Sequence, residues 1–199
     1  MISASEALAK LRQGNERFVA GMQTSDVLIT RGHRAELPQT QAPFAIVLGC
    51  SDSRVPAEIV FDQGLGDLFV IRVAGNIVAP SQIGSVEYAV ERFGTPLVIV
   101  LGHSQCGAVL ATLEELRRPD AEPAGSLWSI VERIRPAVKH LAAEEITDES
   151  LARAVRANIE ASVDQLQSGS AMISSMVGDG RLTLTGAEYS IETGSVEFL

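Results

Sequence analysis

The sequence predicts an α/β fold: a mainly parallel central β-sheet flanked by helices, with a C-terminal antiparallel edge hairpin. Three observations predict it. Residues Phe44 to Leu48, Phe69 to Val73 and Leu97 to Leu101 are short, nearly continuous apolar runs rich in β-branched side chains, the pattern of strands covered on both faces. Segments with helical spacing lie between and after them, and strand–helix alternation implies parallel pairing with helices on the sheet faces. Near the end, Glu188 to Ile191 and Val196 to Leu199 are joined through Glu192-Thr193-Gly194-Ser195, which reads as a hairpin.

The elements follow in order. Ala7, Leu8, Leu11, Phe18 and Val19 recur at helical spacing, Ser3 with Glu6 resembles a capping box, and Gly21 is a natural stop. From Thr24 to Pro43 the pattern is irregular and polar, and is read mostly as loop. After the second strand, Ile83, Val86, Val90 and Phe93 mark a helix; Val109, Leu110 and Leu113 open another after the third strand. The chain breaks at Pro119 to Gly125. Trp128 to Leu141 and Leu151 to Leu166 then read as helices, and Leu182 to Leu184 as a further short strand. No long linker or repeat interrupts this order, so residues 1–199 are read as one domain with an N-terminal helical arm.

Composition narrows the function. Hydrophobic residues make up 46% and charged residues 21%, the balance of a soluble globular protein. The net charge is −9, from 16 basic and 25 acidic residues, so the surface repels phosphate backbones and no nucleic-acid partner is expected. The first residues lack a basic start and apolar run, and the apolar runs are strand-sized, so neither a signal peptide nor a membrane span is expected. The simplest compartment is the cytoplasm, where cysteines stay reduced and read more readily as metal ligands than as a bridge.

Both cysteines sit in one kind of context. Val47-Leu48-Gly49-Cys50-Ser51-Asp52 and Val100-Leu101-Gly102-His103-Ser104-Gln105-Cys106 are apolar runs that stop at a glycine and then present metal-liking side chains. Gly49 and Gly102 are read as letting the backbone turn at the strand ends. Sites in such sheets form beyond the carboxyl ends of the strands, and adjacent strands would bring the two motifs together. Two thiolates and an imidazole, with a displaceable carboxylate from Asp52, suit a tetrahedral zinc site of catalytic type. Alone, either cysteine would more often be a small buried hydrophobe. His33 and His140 lack this context and read as ordinary surface histidines. Arg54 can hold Asp52 bidentately, leaving Asp52 two competing partners, the metal and the guanidinium. A plain structural salt bridge is the simpler alternative for that pair.

Cys50-Ser51-Asp52-Ser53-Arg54 with His103-x-x-Cys106-Gly107 resembles the signature of the β-class carbonic anhydrases. Gly14-Asn15-Glu16-Arg17-Phe18, Val55-Pro56-Ala57-Glu58, Arg72-Val73-Ala74-Gly75-Asn76 and the terminal hairpin extend the similarity over nearly the whole chain. The resemblance implies one zinc ion per chain held by Cys50, His103 and Cys106, with Asp52 either ligating it or pairing with Arg54. It implies reversible hydration of carbon dioxide to bicarbonate by hydroxide generated at zinc, gated by the Asp52–Arg54 pair. Gln41 stands nine positions before Cys50, and Val47 takes the place of a tryptophan found in the allosteric type. The chain therefore resembles the type with a glutamine-containing, non-allosteric pocket, in which Gln41, Phe69, Tyr88 and Gly107 would contact substrate. Where some members carry a histidine proton shuttle, this chain has Arg92.

The family implies a homodimer or larger assembly, with pocket residues lent across the interface and the apolar face of the first helix packed on a partner. Two alternatives keep the same ligands: hydrolysis of carbon disulfide or carbonyl sulfide, and a non-catalytic zinc or redox module. A nucleotide-binding reading of the alternating pattern is discounted, since Gly64-Leu65-Gly66 precedes a strand and no phosphate-binding glycine motif is present.

Overall fold

Residues 2–23, 41–118 and 125–199 are described by a computed structural model. The apolar runs become strands β1 (Ala45–Gly49), β2 (Leu68–Arg72) and β3 (Leu97–His103), joined by β4 (Thr183–Tyr189) and β5 (Val196–Phe198). They form a five-stranded sheet in the order β2-β1-β3-β4-β5. All pairs are parallel except β4–β5. Alternation explains why β1 and β3 are apolar throughout. Ile46, Leu48, Val98 and Val100 enter one buried cluster, while Ala45, Val47, Leu97, Ile99 and Leu101 enter another on the opposite face.

The second face is covered by α1 (Ala4–Val19) and the short α2 (Ala57–Val60). The Ser3–Glu6 capping box starts α1, and Gly21 beyond its end has φ +67°. Ala7 and Leu11 are fully buried against the chain's own core, so this part of the apolar helix face packs inward, while Val19 at its end is 50% exposed. Gly14 allows this: a Cβ there would lie 1.8 Å from the Phe61 carbonyl oxygen. Asn15 then ties α1 to the hairpin, donating to the Gly194 carbonyl at 2.8 Å and accepting from the Val196 N–H at 2.8 Å.

The first face carries α3 (Pro80–Phe93), α4 (Gly107–Leu116), α5 (Trp128–Val138), α6 (Asp148–Ser168) and α7 (Ala171–Gly178). Pro80 opens α3 and Gly94, at φ +65°, closes it. Thr147 caps α6, and Ser170 caps α7 by accepting from the Ile173 N–H.

Several expectations are corrected. Leu182 to Leu184 and Glu188 to Ile191 are not separate strands: β4 runs unbroken through Thr185-Gly186-Ala187, whose small side chains hide the apolar signal. A Cβ on Gly186 would meet Ile159 at 2.6 Å, so α6 lies directly on that strand. Gly102 has the same reason. It is not at a turn but inside β3, and a Cβ there would stand 2.4 Å from Ile159 Cγ1. His103 is the last residue of β3 instead of one beyond it. The loop expectation for 24–40, the break at 119–124 and His33 lie outside the described residues; His140 is exposed in a 3₁₀ turn at Lys139–Leu141.

Candidate metal centre

Because β1 and β3 are neighbours in parallel register, with Gly49 opposite Leu101, their carboxyl ends deliver both motifs to one place. Cys50 follows β1 directly, His103 ends β3, and Cys106 is the residue from which α4 starts. Cys50 Sγ, His103 nitrogen and Cys106 Sγ all lie within 4.8 Å of one another, and all three residues are buried.

The histidine is set for a metal. Its Nδ1 is 2.8 Å from the Ser104 carbonyl oxygen, which can only accept, so Nδ1 carries the proton and Nε2 keeps a lone pair. Nε2 is buried with no hydrogen-bond partner in the protein. A buried, unpartnered lone pair facing two sulfurs is costly unless an ion fills the gap, so the donor set fits zinc.

The thiols are tuned unequally. Cys50 is held far below the usual thiol range, first by a hydrogen bond from Cys106 and also by the Gly75 N–H, which donates to Sγ at 3.3 Å. The same contact with Cys50, together with burial, pushes Cys106 up. Gly75 has φ +68°, and Ile134 Cδ1 would be 2.7 Å from a Cβ there, so glycine is required to aim that N–H.

Asp52 faces Arg54. Its Oδ1 accepts from the Arg54 backbone N–H at 2.9 Å and from Nε at 3.0 Å, and its Oδ2 accepts from Nη2 at 2.8 Å. This hydrogen bonding holds the carboxyl well below the ordinary carboxylate range despite partial burial. Of the two partners open to Asp52, the structure displays the guanidinium; its Oδ2 is still only 3.9 Å from His103 Nε2.

Of the other expected site residues, Gln41, Phe69 and Tyr88 are not beside the cluster. Gln41 is exposed and precedes β1, at the opposite end of the strand from Cys50; five residues of strand span roughly 16 Å. Phe69 and Tyr88 have ring centroids 6.2 Å apart and both pack on Phe93, with Tyr88 53% exposed. Phe93 in turn lines an apolar cavity of about 520 Å³ with Ala42, Pro43 and Phe44, so these residues gather at the strand-start end. Gly107 follows Cys106, but a Cβ there would meet nothing within 4 Å, so no close approach within the chain demands it. Arg92 is exposed on α3.

Sequence reasoning missed the supports. Arg72 Nε donates to the Cys50 carbonyl at 3.0 Å and its Nη2 to the Asp52 carbonyl at 2.6 Å. Asn158 Nδ2 donates to the Gly75 carbonyl at 2.9 Å, fixing the peptide that reaches Cys50. A polar residue on the apolar face of α6, beside Val155 and Ile159, was the available signal for Asn158.

A sequence model described as carbonic anhydrase matches residues 45–196. The chain is 42% identical over 191 residues to a carbonic anhydrase of Mycolicibacterium smegmatis, covering 94% of this chain and 89% of that one. It is 40% identical over 186 residues to carbonic anhydrase 2 of Mycobacterium tuberculosis, covering 92% and 87%. Among solved structures, the β-carbonic anhydrase CcaA is similar at TM-score 0.75 and 28% identity, covering 98% of this chain and 92% of that one. A tetrameric β-carbonic anhydrase of Sordaria macrospora is similar at TM-score 0.73 and 27% identity, covering 85% and 87%. The family match, the sequence identity over nearly the whole chain and the likeness of fold converge: this chain belongs to the carbonic anhydrase family, in its β class.

Proposed function

We propose that the zinc-dependent hydration of carbon dioxide characteristic of this family runs here at one ion per chain held by Cys50, His103 and Cys106, with Asp52 and Arg54 as its catalytic pair. The carrying observation is the unpartnered His103 Nε2 between two sulfurs, with a clamped carboxylate 3.9 Å away. Zinc supplies Lewis acidity there, bringing the pKa of water from about 15.7 toward about 7 and so making a nucleophile available at neutral pH.

The protein's groups do the rest. Cys50, His103 and Cys106 hold the ion, and Ser104 keeps the imidazole in the ligating tautomer. Arg54 keeps Asp52 ionised, so Oδ2 can accept a hydrogen bond from the attacking water and aim its lone pair at the carbon. To ligate metal itself, Asp52 would have to leave Arg54; that exchange is the gate. Buried apolar walls around the cysteines suit an uncharged substrate.

The pocket is completed by association. Gln41, Phe69 and Tyr88 sit at the strand-start end, which favours a homodimer in which each chain lends them to its partner's metal end. Gln41 then offers an amide donor to a bicarbonate oxygen, as in the non-allosteric pocket type, and Gly107 leaves room beside Cys106. A reducing compartment, the cytoplasm, suits two ligand thiols.

The test pairs metal analysis with stopped-flow hydration. Asp52→Ala should keep one zinc per chain yet lose about 10²-fold or more in turnover. Unchanged turnover would overturn the role of Asp52. Carbon disulfide and carbonyl sulfide assayed alongside should turn over far more slowly than carbon dioxide.

A further inference from the structure

We propose that Glu192, in the turn between β4 and β5, is a positioning residue of the metal centre that locks the His103–Cys106 ligand turn through hydrogen bonds; this rests on the zinc site proposed above. The two residues between the ligands, Ser104 and Gln105, are both held by this one carboxylate. Ser104 Oγ donates to Glu192 Oε2 at 2.8 Å, and Gln105 Nε2 donates to Oε1 at 2.8 Å, across 88 and 87 residues of sequence.

Each contact bears on a ligand. The Ser104 carbonyl fixes the His103 tautomer, so holding Ser104 holds the imidazole. Its hydroxyl also accepts from the Ile191 N–H at 3.0 Å, and its own N–H donates to the Tyr189 carbonyl at 2.9 Å. Gln105 has φ +55°, a left-handed conformation that a side chain disfavours, and it directly precedes Cys106. Clasping the Gln105 side chain keeps that backbone conformation occupied and the Cys106 thiolate aimed at the ion.

The platform behind Glu192 is itself built. Ser190 Oγ donates to Glu192 Oε2 at 3.0 Å and accepts from the Thr193 N–H at 3.2 Å. Asn15 of α1 holds both Gly194 and Val196. The first helix, the hairpin turn and the ligand turn are therefore one connected set of hydrogen bonds. Among the described residues, no other carboxylate bonds the side chains of both residues between two ligands.

The test compares Glu192→Ala with Glu192→Gln as zinc-loaded full chains, well below their melting temperatures. Glutamine can keep its carbonyl on Gln105 and turn its amide to the two serine hydroxyls; alanine keeps nothing. Zinc release to excess chelator should be about 10–100-fold faster for E192A, and the cobalt-substituted form should show shifted visible bands. E192Q should match the parent chain within about threefold in release and in spectrum. An E192A chain with parental release and spectrum would overturn the proposal. So would an E192Q chain as impaired as E192A, which would make the carboxylate's charge, felt as far as Arg54, the cause instead of hydrogen-bond geometry. A parent chain that fails to hold one zinc would overturn the metal site itself, a separate outcome read before any variant.

Discussion

Asp52 shows how one neighbour decides the state of a carboxyl group. The Arg54 hydrogen bonds depress its pKa, so the carboxylate stays charged through the neutral and alkaline range. The sign follows: the stabilisation from this pair is fully present above the ordinary aspartate value of about 3.9 and is lost only as pH falls through the lowered folded value. Arg54→Ala should therefore lose native signal at higher pH than the parent in an acid titration followed by circular dichroism. Arg54→Lys keeps the charge but not the fork that spans both Asp52 oxygens, and should lose about 10–100-fold in kcat/KM in a stopped-flow assay. Parental kcat/KM in the lysine variant would show that charge alone suffices. The residues of this centre divide by legibility. Cys50, Asp52, Arg54, His103 and Cys106 were readable because their chemistry is intrinsic and their spacings are short. Arg72 and Asn158 were not, because their roles arise from backbone groups 20 and 83 residues away.

At the scale of elements, close approach between helices and strands leaves its mark on glycines. A Cβ on Gly102 would strike the outer atoms of Ile159, which can rotate away, so Gly102→Ala should cost about 1–3 kcal/mol in urea unfolding. A Cβ on Gly14 would lie 1.8 Å from the Phe61 carbonyl oxygen, a backbone atom that cannot yield. Gly14→Ala should therefore destabilise more than Gly102→Ala, although alanine is otherwise favoured in a helix by about 0.5–1 kcal/mol. The reverse order of urea midpoints would contradict this packing account. The same close approach explains what the sequence hid. β1 and β3 announced themselves because both faces are buried, whereas β4 carries Gly186 where α6 presses on it and the small Ala187 on its other face. α7 was missed because its eight residues, with two adjacent serines, offer little periodicity; only the Ser170 cap and Ile173 marked it.

For the whole molecule, the separation of Gln41 from Cys50 along β1 means that a single chain does not assemble the proposed pocket. Sedimentation should give a mass at least twice that of the chain, and dissociation on dilution should cost hydration activity before it costs zinc. A fully active monomer would contradict the shared pocket. Fold class and the cysteine–histidine–cysteine cluster were legible from one chain's residues; that Gln41 lies at the other end of β1 from this cluster was not, since strand length sets the distance between the two ends. The most direct measurement is zinc content with carbon dioxide hydration on the parent and on Cys50→Ser, His103→Ala and Cys106→Ser. One zinc per chain is expected in the parent, and loss of both zinc and activity in each variant. A parent that hydrates carbon dioxide without metal, or variants that keep full zinc and turnover, would contradict it.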